Sequence, residues 1–83
     1  MARPKHTQAH LPRTVSKNQS EFFKKRTRDQ MKYYMDSKLI EVGVDPSNVI
    51  YRWKTEDKGR SELWTISAYW GESRCKIEAG EPL

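Results

Sequence analysis

Five cations in nine residues, Lys24, Lys25, Arg26, Arg28 and Lys32, form the densest chemical signal in the chain. On a helix they would fall on adjoining turns, where their charges can meet successive phosphates. The plainer alternative is a solvated helix face. That face would hold one attractive neighbour pair, Glu21 with Lys25, and one repulsive pair, Arg28 with Lys32. The shortage of compensating acids nearby favours binding.

A second set is spread over three expected strands. Arg52 and Lys54, then Thr65, Ser67 and Tyr69, then Arg74 and Lys76 would share the open face of a sheet, giving cations for phosphates and the Tyr69 ring for stacking. An ordinary wet sheet face is the competing account. Leu63 and Ile50 lie on the same side and would equally suit a protein interface. A third set, Arg3, Lys5, Arg13 and Lys17, lies in an N-terminal arm that could follow a groove or be an inert terminus. Phe22, Tyr33 and Ile40 make a lateral apolar stripe on the helix, wider than one packed face needs, and are protein-interface candidates.

Little else in the chain suits catalysis. His6 and His10 are four apart, a metal-binding spacing on a helix, but Pro4 and Pro12 argue against a helix there and no third ligand is local. No metal site is expected. Cys75 is expected inside, as a small core residue on a strand. Glu62 and Glu78 sit on strand faces or edges with no reason for a shifted pKa. No dinucleotide fingerprint, P-loop, H-E-x-x-H or nucleophile elbow occurs, so neither a cofactor nor an enzyme activity is expected.

The elements that would carry these residues can be read from periodicity. Residues 1–15 contain two prolines and few apolar side chains and read as a flexible basic arm. Ser16-Lys17-Asn18-Gln19 fits a capping box, with Ser20 as an alternative N-cap. The helix is expected to run to about Val42, with Gly43 as its left-handed C-cap residue. Its core stripe is expected to be Phe23, Thr27, Met31, Tyr34, Lys38 and Val42, with Met35 beside them. After a turn at Pro46 the period changes to two. Strands are expected over 48–55, 62–70 and 74–79, with Gly59 in the first hairpin loop. Val49, Tyr51 and Trp53, with Trp64, Ile66, Ala68 and Trp70, should face the helix.

The fold class is therefore α+β: one long helix on a three-stranded antiparallel meander, preceded by a disordered basic arm. The domain is expected over 16–80, with 81–83 as a tail. The helix-then-three-strands order resembles the first part of a double-stranded-RNA-binding domain in topology alone, since the chain ends at Leu83 without that domain's following helix.

Charge is asymmetric. Residues 1–32 hold nine basic and two acidic side chains, a net of +7, and the remainder holds seven against nine, a net of −2. A basic half beside a near-neutral half is expected of a domain that presents an arm or helix to a polyanion. The leading expectation is a small non-enzymatic regulator that binds DNA, RNA or a nucleoprotein. The second is an inhibitor or adaptor docking on an acidic protein surface, of the kind compact virus- or phage-encoded proteins use. The third is a ribonuclease-type toxin. At 83 residues the core must be thin, which leaves a second copy or a partner open as a source of stability. No run approaches a membrane span. One cysteine and no secretory leader point to a reducing cytoplasm.

Overall fold

The computed structural model describes residues 7–83. The order is β1 (Gln8–Ser16), α1 (Glu21–Glu41), a short 3₁₀ turn (Pro46–Asn48), β2 (Ile50–Asp57), β3 (Ser61–Tyr69) and α2 (Gly71–Glu78). The three strands form one antiparallel sheet in the order β1-β3-β2. The class is α+β, as expected, but the sheet is not a meander. Its third strand comes from before the helix, and the segment expected as the last strand is a helix.

The expected arm is thus corrected over much of its length; residues 1–6 lie outside the described residues. Gln8 to Ser16 pair with Tyr69 to Ser61 along the whole of β3. Pro12 stands in this strand because β1 is a sheet edge, where a missing N–H breaks no ladder. Ser16 ends β1 rather than capping α1. The cap is Ser20, whose Oγ accepts from the Phe23 amide at 3.4 Å. At the other end, Gly43 (φ +84°) lets its own amide bond Ile40 O and the Val44 amide bond Leu39 O, closing α1 in a Schellman motif.

The segment over 74–79 alternates, but its charges sit four apart. Arg74 pairs with Glu78 at 2.7 Å and Lys76 with Glu72 at 3.8 Å, the spacing that supports a helix. Gly71 (φ +52°) turns the chain into α2, and a Cβ there would meet Thr7 Cγ2 at 3.1 Å. With β1 already bonded to the free side of β3, no place remains for another strand next to it. Cys75, expected inside, is exposed on α2.

The core is Val15, Met31, Met35, Leu39, Trp64, Ile66 and Ala68. The helix is rotated from its expected setting by about 70°: Met31, Met35 and Leu39 face inward while Phe23, Tyr34 and Val42 are exposed. The expected stripe would have buried Lys38. The observed one keeps cations at the rim, with Arg28 Cζ 4.9 Å from the Trp64 ring centre and Lys32 Nζ 4.2 Å from that of Tyr51.

The hairpin between β2 and β3 is tied by charge. Glu56 is held below its ordinary pKa by hydrogen bonds from Lys54 and then Lys58, and Asp57 by Lys17 and then the Gly59 amide. A carboxylate with a depressed folded pKa contributes stability above its unfolded value and loses it as pH falls through the folded one. Thermal midpoints are therefore expected to drop as pH falls below 4.5 and 3.8, the unfolded values of Glu56 and Asp57. Scanning calorimetry of Glu56→Gln should show a flatter acid limb; an unchanged limb would mean that these bonds do not persist in solution.

Candidate nucleic-acid interface

Lys25, Arg28 and Lys32 share one flank of α1, within about 60° of arc, on the side that overhangs β2. Two of them are fixed by aromatic faces, Arg28 by Trp64 and Lys32 by Tyr51. Lys32 is also held by Asp36 at 3.0 Å, and the Tyr51 hydroxyl donates to the same carboxylate. Burial, and then the Asp36 hydrogen bond and charge, push the Tyr51 phenol far above its ordinary range, so it stays a donor.

Trp53 completes this flank. By strand parity it is on the helix-facing side, opposite Ile66, as expected from its alternation with Tyr51. It is not core, however. The helix lies over β3 and β1, leaving β2 at the open edge, and Trp53 is 44% exposed. Tyr51, two residues before it, lies under Lys32. Thr55, two residues after it, is paired with Trp64, which lies under Arg28. By register, then, the exposed indole lies on the strand row between the one under Lys32 and the one under Arg28.

The cations expected from sequence do not all gather here. Lys24 pairs with Glu21 at 3.8 Å, and Lys54 with Glu56 at 2.9 Å. Arg26 lies on the outward side of α1, beside Asp29, Gln30, Tyr33 and Tyr34. Arg74 and Lys76 are on α2 in ion pairs and do not join the sheet face. Arg74 also donates to Asn48 O at 2.8 Å, tying α2 to the start of β2. Among the described residues, Lys25, Arg26, Arg28 and Arg52 are the expected site cations that make no ion pair.

The open face of the sheet is also different from its expected form. Tyr69 is only 8% exposed. His10 packs edge-on to its ring at 5.9 Å and Arg52 lies 5.7 Å from its centre, so the ring is covered rather than offered for stacking. His10, Ser67 and Arg52 form one cross-strand row. The His10 Nδ1 and Ser67 Oγ are 2.7 Å apart, and Nε2 is 3.1 Å from Gln8 Oε1. Within this row both His10 ring nitrogens and the Ser67 hydroxyl are paired. The row removes His10 from the expected arm and gives it a structural place.

Sequence reasoning missed Trp53 as a site residue because alternation reports which face a side chain takes, not whether anything covers that face. The available signal was the polar flanking of β2, with Arg52, Lys54, Thr55 and Glu56 around one large ring. Phe22, Tyr33 and Ile40 are exposed, as a stripe beyond the needs of the core should be. No helix among the described residues is long and apolar enough to cross a membrane. Comparisons with protein-family models, with curated proteins and with solved structures return no match.

Proposed function

We propose that the chain is a non-enzymatic binding protein for single-stranded nucleic acid, held on the flank that α1 and the edge strand β2 present together. The observation that carries this reading is Trp53, an exposed indole whose strand row lies between the row under Lys32 and the row under Arg28. A base stacks on the indole, and the phosphates on either side meet Lys25, Arg28 and Lys32. Such a ledge accepts any base and suits a strand whose bases are free to splay, which a duplex does not provide. Arg28 and Lys32 are pre-positioned by their own aromatic contacts, which reduces the ordering cost of binding.

Fluorescence anisotropy with labelled single-stranded and duplex oligonucleotides across a salt series tests this. Two or three neutralised phosphates give an expected log–log slope of about −1.5 to −2 on single strands. Arg28→Ala should lower that slope by about 0.7 and weaken all sequences alike. Absence of binding at low salt would overturn the reading and favour an acidic protein surface as the partner, where affinity would rest on a few aromatic anchors.

A further inference from the structure

Of the three cations on the α1 flank, Lys32 is the one whose charge is already answered. Its Nζ lies 3.2 and 3.0 Å from the two carboxylate oxygens of Asp36, one turn further along α1. An exposed pair four apart on a helix makes a loose contact, because both side chains must be ordered to form it. This pair is held from the sheet as well. The Tyr51 hydroxyl, on β2, donates to Asp36 Oδ1, and the Tyr51 ring centre lies 4.2 Å from Lys32 Nζ. The Asp36 side chain is 29% exposed and that of Lys32 43%. Lys25 and Arg28 make no ion pair among the described residues.

We infer that Asp36 competes with the phosphate for Lys32 and limits the free cations of this flank to Lys25 and Arg28. The inference rests on the nucleic-acid reading and names what regulates that site. A carboxylate oxygen and a phosphate oxygen make the same charge-assisted bond to an ammonium. A strand that reaches Lys32 must share it with Asp36 or displace Asp36, which leaves a carboxylate beside the phosphate. Neither outcome gives the counterion release of a free cation. Each neutralised phosphate adds about 0.7 to the salt slope on a single strand and about 0.9 on a duplex, so a third free cation would help a duplex more. By muting Lys32, Asp36 leaves more of the affinity to the Trp53 ring, which a splayed base can reach and a paired one cannot. Asp36 is thus a specificity-determining residue that acts through Lys32.

Asp36→Asn removes the charge and keeps an oxygen that can accept from Tyr51. Anisotropy titrations of this variant across a salt series should show the log–log slope on single strands steepening from about −1.4 to about −2.1. Affinity at low salt should rise about threefold, the effect of one unit charge removed about 6 Å from a phosphate in water. The gain should be larger on duplex, so the preference for single strands narrows. Asp36→Glu, which keeps the charge, should return the slope toward the native value. Glu41→Gln makes the same change of net charge at the exposed last residue of α1 and should leave the slope unchanged. In the free protein, the Lys32 ammonium should give a ¹⁵N–¹H correlation at low temperature that disappears in Asp36→Asn, a readout that needs no nucleic acid. A native chain that binds, beside an Asp36→Asn chain of equal slope and affinity, overturns the inference. Weaker binding by Asp36→Asn overturns it too, because Asp36 would then position Lys32 rather than compete for it. Absence of binding by the native chain, with the Lys32 signal intact, overturns the nucleic-acid reading and the competition with it.

Discussion

A chain beginning at Ser16 is expected to be unfolded at 25 °C. Such a truncation would be the natural way to remove a basic arm, but it takes away a strand. Its loss strips β3 of one entire hydrogen-bonded edge and removes Val15 from the core, together with the half-buried Leu11 and Ala9. Ile66 and Ala68, fully buried in the intact domain, would face water on that side. An 83-residue domain has a total stability of only about 4–12 kcal/mol. Several half-buried and buried side chains at roughly 1–3 kcal/mol each consume most of it. Far-ultraviolet circular dichroism and urea denaturation read the result. A cooperative transition in the truncated chain would show that α1, β2 and β3 stand alone and that β1 is an accessory. Val15→Ala gives a graded version, with an expected loss of about 2 kcal/mol in the same measurement. Any role of the N-terminal cations in binding is therefore better measured by Arg3→Ala and Lys5→Ala in the full chain than by truncation.

The misreading of β1 has a definite physical origin. Its apolar residues, Ala9, Leu11 and Val15, do alternate, but Arg13 interrupts them and Pro12 suggests a break. A strand at a sheet edge needs only one good face and can lack an amide on the other side, so its pattern is weak by construction. The β2–β3 hairpin was legible because both strands alternate strongly around a turn with Gly59 at positive φ (87°). The end of α1 was legible for a similar reason, since Gly43 marks it locally. The face of α1 was not. An almost evenly distributed set of apolar residues, Phe22, Phe23, Met31, Tyr33, Tyr34, Met35, Leu39, Ile40 and Val42, allows several inward stripes. Only the position of the sheet, unknowable without β1, decides among them. The segment over 74–79 shows the limit of alternation in eight residues, where pairs four apart outweighed it.

The same distinction decides what Trp53→Ala should do. A tryptophan inside a core is replaced at a cost of about 3–5 kcal/mol, which is the expectation for Trp64, 3% exposed beneath Arg28. Trp53 is paired with the same core strand but lies at the open edge, where nearly half of its surface meets solvent. Its removal should cost roughly 1 kcal/mol of stability, from the partial burial alone. A half-exposed indole on an edge strand is an aggregation hazard unless something covers it. If a base stacks on it, Trp53→Ala should lower affinity for single strands by about 1–3 kcal/mol, or roughly 5- to 150-fold. The salt slope should be nearly unchanged, because no cation is lost. Trp53→Phe should restore part of the affinity, and Arg28→Ala should show the converse signature of a shallower slope. Anisotropy titrations of the three variants, with urea curves run alongside, separate these effects. Equal losses of stability in Trp53→Ala and Trp64→Ala would make Trp53 a core residue in solution. An unchanged affinity in a stable Trp53→Ala protein would remove stacking from the mechanism and leave only electrostatic contact with the phosphates.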